Sequence, residues 1–195
     1  MPLGANKAAI MGVAGVSVAA DVVLLSSQTA DNDTELSFAG FMTSTYGAYI
    51  FKFYNIDPGT DRGNFLVQFN ADGASGYNES LVTTCFRSYH DQEGGETALA
   101  YMTTEDQVGT GFNHLVGDIG FTGNENAAGE MRIFNPSSTT YTTHWYSQVQ
   151  CKAGGYYIHN AWNGGYINAT AAITDVQFKM HTGNMYGTIK MWGVL

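Results

Sequence analysis

The chain has 195 residues, the size of one undivided β domain, and sets 17 Asp and Glu against 8 Lys and Arg for a formal net charge of −9. A surface of that sign repels a phosphate backbone and an anionic membrane face, and no Lys/Arg cluster offers a local exception, so neither nucleic acid nor membrane is an expected partner. Charged residues make up 13 %, about half the usual share near 25 %, while 24 Gly, 12 Tyr, 11 Phe and 3 Trp favour strands and turns over solvated helices.

Residues 1–20 form a small-residue, apolar segment with one charge, Lys7, and a run from Ala8 interrupted by Gly12 and Gly15. The outline is that of a secretory signal, but the run is too short to span a bilayer. We read it as an extended arm in which Pro2, Leu3, Lys7, Ile10, Met11 and Val13 make assembly contacts. Extended, 20 residues reach on the order of 65 Å. The arm is expected either on a neighbouring subunit or as an edge strand of its own domain.

From Asp21 to Leu195 the apolar period is two, which marks strands. Tyr49, Phe51 and Phe53 share one face of the first clear strand, and Phe65, Val67 and Phe69 share one face of the next. The turn residues between them, Asp57-Pro58-Gly59-Thr60-Asp61, predict a hairpin. Leu81–His90 is strand-like. Thr97–Gln107 is the one helix candidate, with a stripe too weak for more than a turn or two. Met131–Phe134 and Thr142–Cys151 follow as strands, and Gly154-Gly155 and Gly164-Gly165 punctuate the chain around Tyr156–His159 and Tyr166-Ile167. Val176–Met180 and Ile189–Trp192 close the series. About ten strands with short turns predict an all-β, antiparallel, jelly-roll-like sandwich over 21–195.

No residue pattern identifies a reaction, a cofactor or a metal. The five histidines, His90, His114, His144, His159 and His181, include no HExxH spacing, although alternation could bring His144 to His159. Acidic turns at Asp31 and Asp33, Asp57 and Asp61, and Asp91 and Glu93 have oxygen ligands of the kind calcium takes. The loop opening at Asp57, however, places Gln68 where a bidentate Glu would stand, and Asx-type turns account for the clusters. Cys85 and Cys151 lie in strand-like runs with no CxxC, and spacing leaves buried thiols and a disulfide both open. The most distinctive group is aromatic: Trp145, Tyr146, Tyr156, Tyr157, Trp162 and Tyr166, near Asn160 and Asn163. Exposed, such rings stack on sugars; buried, they are core and subunit interface.

Three stretches, Pro2–Ala9, Tyr49–Ile56 and Gly187–Val194, resemble short β-sandwich virion proteins of tailed bacteriophages, especially marine ones. The resemblance is specific at those three points alone and carries no catalytic motif. It implies a non-enzymatic, commonly trimeric subunit on the particle exterior: a tail appendage or fibre subunit, with a host-surface glycan as a further contact, or alternatively a capsid decoration protein. A glycan-degrading enzyme is the third expectation, for which the chain lacks a paired carboxylate signature. The implied partners are copies of itself and other virion proteins.

Overall fold

The computed structural model describes residues 21–195, and they are all-β, with no helix among the described residues. The assembly expectations for Pro2, Leu3, Lys7, Ile10, Met11 and Val13 lie outside the described residues. Thirteen strands follow in chain order: β1 (Val22–Asp33), β2 (Glu35–Phe38), β3 (Ala48–Pro58), β4 (Gly63–Ala71), β5 (Leu81–Asp91), β6 (Thr97–Tyr101), β7 (Val108–Gly109), β8 (Asn113–Ile119), β9 (Ala127–Phe134), β10 (Thr143–Ala153), β11 (Tyr157–Ile167), β12 (Ile173–Met180) and β13 (Met185–Val194). Every pairing is antiparallel.

The strands divide unequally. A large layer runs β1-β13-β3-β9-β10-β11-β5, with β6 and β7 both on the free side of β5; a small layer runs β8-β4-β12-β2. The layers join at one corner through the single pair Ala153↔Ile119. At the opposite margin β1 turns into β2 across Thr34, and Gln28 Nε2 donates to the Ser37 carbonyl at 2.9 Å. The sheet therefore comes close to closing on itself as a barrel, which leaves few free edges.

Alternation explains the core. Tyr49, Phe51 and Phe53 of β3 point inward and are at most 2 % exposed, as are Phe65, Val67 and Phe69 of β4 and Phe178 of β12. Phe178 is the hub: its ring lies 5.4 Å from Phe51, 5.3 Å from Phe53, 5.8 Å from Phe65 and 6.1 Å from Phe38. The outward side of β4 is buried as well, under loops. Gln68 Nε2 donates to the carbonyls of Glu79, Thr110 and Gly111, while Asn70 Oδ1 accepts from the Tyr77 amide. A fully buried amide meeting three carbonyls ties two loops to the small layer.

Several sequence expectations are corrected. β3 and β4 are not hairpin partners: β3 pairs with β13 and β9, and β4 with β12 and β8. The turn between them carries the chain across the core instead, and Phe53 meets Phe65 edge-on from the opposite layer at 5.1 Å. Period-two patterning states which face is apolar, and both strands satisfy it equally well by facing each other. Gly63 ends that crossing where a Cβ would fall 2.4 Å from Pro58 Cβ, so no larger residue fits. The helix candidate is β6 followed by one turn, closed by the Glu105 and Asp106 amides on the Met102 carbonyl. Gly164-Gly165 does not interrupt β11, which pairs with β5 through eleven successive positions. A Cβ on Gly165 would lie 2.2 Å from the Val82 carbonyl oxygen, so glycine here admits a close neighbouring backbone rather than a turn. Cys85 and Cys151 are buried and free. Their strands flank β11 at different levels, Cys151 beside His159 and Cys85 beside Asn163, a separation of two strand spacings (~9.6 Å) and four residues that no disulfide bridges.

Candidate functional site

Two surfaces carry unusual side chains. The first is the outward face of the large layer, whose registers align residues in rows. One row runs Tyr101, Phe86, Trp162, Gln148, Glu130, Lys52 and Lys190 from β6 to β13. A second runs Val108, Val82, Tyr166, His144, Phe134, Ala48, Val194 and Val22 from β7 to β1. Between them lie Tyr146, Arg132, Ile50, Trp192 and Leu24. The rings associate with one another: Phe86 stacks on Trp162 at 5.1 Å and 11°, Phe134 tilts on Tyr146 at 5.7 Å, and His144 lies 5.8 Å from Tyr166. Phe86 is 43 % exposed, Tyr101 56 % and Val108 84 %.

Charge on this face runs against the protein's total. Its carboxylate within the three rows, Glu130, is paired to Arg132 at 3.0 Å. Lys52 and Lys190 lie over the rings of Trp192 and Tyr54 at 5.7 and 5.6 Å. The acidic residues are displaced to loops and strand ends. What remains is an apolar, aromatic sheet face with a slight positive excess, about 38 by 20 Å in plan from strand spacing and rise.

The second surface is a polar cavity of about 270 Å³ on the inward side of β5 and β11, where the large layer extends past the small one. It is lined by Arg62, Arg87, Tyr89, Glu96, Asp118, Gly154, Tyr157 and His159. The chain has three arginines, Arg62, Arg87 and Arg132, and two of them are here. Arg62 pairs with Asp118 and Arg87 with Glu105, each at 3.1 Å, and the Arg87 Nε is buried without a partner among the described residues. Tyr157 donates its hydroxyl to Glu96 Oε2 at 2.8 Å, and that bond raises the phenol pKa. His159 is 5 % exposed with Nδ1 3.3 Å from the Gly117 carbonyl; burial first, then the Arg87 charge, holds its pKa below the usual histidine value. Glu105 behind the cavity is pushed up by burial, with Arg87 partly opposing the shift. Arg62 and Asp118 have positive φ of 59° and 66°, a left-handed conformation that non-glycine residues adopt at a cost. Gly154 lies beneath the Arg62 side chain, where a Cβ would come 3.2 Å from Arg62 Cγ.

The six aromatics singled out in the sequence do not form one platform. Trp145 is 2 % exposed and packs in the core 5.8 Å from Phe69, so it is unavailable to a ligand. Tyr146, Trp162 and Tyr166 share the outward face of the large layer. Tyr157 lines the polar cavity on the other side, and Tyr156, 64 % exposed, tops the β10–β11 turn. Neighbours in a strand point to opposite faces, which separates Trp145 from Tyr146.

His144 and His159 are likewise on opposite faces and at opposite ends of the β10–β11 pair. Among the described residues no three His, Cys, Asp or Glu side chains are grouped to hold a metal. The acidic clusters work locally: Asp33 Oδ2 accepts the Asp31 amide, Asp91 Oδ1 the Glu96 amide, and Asp61 Oδ1 the Phe121 amide. Arg62, Arg87, Tyr89, Glu96 and Asp118 went unnoticed in the sequence because they come from four separate segments, Arg87 and Tyr89 alone sharing a strand. The one available signal was the rarity of arginine in the chain.

No protein-family model matches the chain, and none of the curated proteins matches it.

Proposed function

We propose that the chain is a non-enzymatic structural subunit of a tailed-bacteriophage particle, a homotrimeric tail appendage that assembles through the outward face of its large layer. The observation that carries this reading is the alignment of stacked, half-exposed rings across that face in a protein with few charged residues. Interfaces are enriched in Tyr, Trp, Phe and Arg, and this face is rich in such rings, with its two lysines lying over rings and Glu130 paired to Arg132. With −9 on each protomer, ion pairs worth at most ~1 kcal/mol apiece do not offset the mutual repulsion, so apolar burial has to hold the subunits together. The resemblance of Pro2–Ala9, Tyr49–Ile56 and Gly187–Val194 to phage virion proteins supplies the particle.

A capsid decoration protein is the second reading, since the same apolar face suits lattice contacts; the polar cavity favours the appendage, which has use for a ligand site. Light scattering across a salt series tests assembly. A trimer at low micromolar concentration that persists in high salt is expected, with Phe86→Ser combined with Tyr146→Ser giving a folded monomer. A wild-type monomer, or a complex that dissociates as salt rises, refutes it. Labelling the protein within the particle separates tail from capsid.

A further inference from the structure

We propose that the polar cavity beneath β11 binds a single neutral hexopyranose ring, the end of a surface polysaccharide, and holds it without cleaving it. The inference deepens the host-contact part of the proposed role by giving it a site and a ligand class.

The donor and acceptor inventory selects the ligand. Arg62 and Asp118 are paired through one nitrogen and one oxygen, and their side chains remain 60 % and 31 % exposed. The rest of the guanidinium fork and the second carboxylate oxygen are left for a ligand. Glu96 is engaged through Oε2 by Tyr157, which leaves Oε1. His159, almost fully buried, holds the Gly117 carbonyl with Nδ1, which assigns the proton there and leaves Nε2 as an acceptor at the cavity wall. The space thus offers both donors and acceptors. A hydroxyl group is both at once, so adjacent hydroxyls of a sugar ring satisfy an Arg–carboxylate pair in a way that a pure acceptor or a pure donor does not.

Charge excludes the obvious competitor. Two arginines would suit an anion, but each already faces a carboxylate, Arg62 facing Asp118 and Arg87 facing Glu105, and Glu96 adds a third. An anion entering here meets more negative than positive charge. Tyr89 and Tyr157 supply the apolar walls, their rings 5.9 Å apart at 73°, for the C–H faces of a pyranose. The volume of about 270 Å³ is below the range of drug-sized ligands and takes one ring.

Cleavage is a different matter. Glycoside hydrolysis needs a protonated carboxyl beside the leaving oxygen. Both carboxyls that open onto the cavity, Asp118 and Glu96, are already engaged as hydrogen-bond acceptors, by Arg62 and Tyr157.

Saturation-transfer NMR on the full chain tests this with D-glucose, D-galactose, D-mannose, L-rhamnose and N-acetylglucosamine, and with glucuronate and sulfate as the anionic arm. Transfer to at least one neutral hexose is expected, weakened by ~tenfold or more in Arg62→Ala, which removes a charge-assisted hydrogen bond to the ligand, and in Tyr157→Ala, which removes an apolar wall. Transfer to no hexose, equal transfer in both variants, or binding confined to the anions overturns the proposal. Release of reducing ends from an oligosaccharide of the bound sugar overturns its non-cleaving part. The assay uses neither trimer nor particle, so the failure of the assembly reading is separately visible.

Discussion

Replacing Phe178 with alanine tests whether the two layers face each other as described. Phe178 is fully buried on β12, and its ring touches four others drawn from β2, β3 and β4. Phe→Ala changes in cores cost 3–5 kcal/mol, the transfer term plus a term for the cavity left behind. Ring pairs add about 0.5–1.5 kcal/mol each beyond area, though four pairs sharing one ring do not sum independently. Collapse into the hole is hindered because Phe51 and Phe53 are held by the two strands that flank β3, and Phe65 by the pairing of β4 with β12 and β8. The expected loss is therefore at the upper end, about 4–5 kcal/mol, against a total stability of 5–15 kcal/mol for ordinary domains. In a domain of this size each kcal/mol lowers Tm by roughly 2–4 °C, so the midpoint falls by ~8–20 °C. Urea and thermal denaturation followed by circular dichroism measure it, with Tyr141→Ala, 73 % exposed, as a control that moves by under ~0.5 kcal/mol. A loss below ~1.5 kcal/mol would mean that β12 does not cover β3, and the layered arrangement would fall with it.

Other measurements bear on the interior and the termini. His159 and His114 are both pushed below the ordinary histidine value by burial. The unfolded chain then binds protons first, and stability present above the unfolded value of about 6.5 declines as pH drops through the window beneath it. Accordingly, the Tm advantage of wild type over His159→Gln shrinks from pH 7.5 to pH 5.5, and a constant difference refutes the buried neutral imidazole. Burial drives both thiols up to about 12, so neither Cys85 nor Cys151 reacts with a disulfide reagent at pH 8 until denaturant is added; rapid labelling of the native protein contradicts their placement. Deleting residues 1–20 is expected to leave Tm within a few degrees while abolishing incorporation into the particle, because the described fold closes from Asp21 onward; an insoluble product refutes it.

The fold class was legible because Tyr49, Phe51 and Phe53, then Phe65, Val67 and Phe69, then Val176, Phe178 and Met180 recur at every second position and are the core. Pairing was not legible. A strand's own pattern fixes its inward face, whereas its neighbours depend on how the whole layer curls, and β3 followed by β4 read as a hairpin for that reason. Gly164-Gly165 misled in a related way: glycine serves turns and close backbone approaches alike, and the Val82 carbonyl that makes it the second lies some 80 residues away in sequence. Of the aromatic set, Tyr146, Trp162 and Tyr166 were visible as surface candidates, while Trp145 differs from its neighbour by parity alone. The cavity was hidden because burial of a polar residue leaves no local signature. Arg87 and His159 sit in ordinary-looking strands and become notable once β5 and β11 are aligned, which sets Tyr89 opposite His159.

The pairing of β1 with β13 has a mechanical consequence. Val22 is matched to Val194, and the Leu195 amide reaches the Asp21 carbonyl, so the two ends of the described chain emerge side by side at the same end of one ribbon. A pull separating those ends loads the ribbon's hydrogen bonds one pair at a time from that end, as a zipper opens, rather than all ten matched positions together in shear. Tension delivered through both termini would strip β1 at low force, leaving β3 the new margin only after β13 had followed. Tension taken up instead through one of those ends and the broad sheet face would be shared by many side chains, and no strand would be peeled from its end.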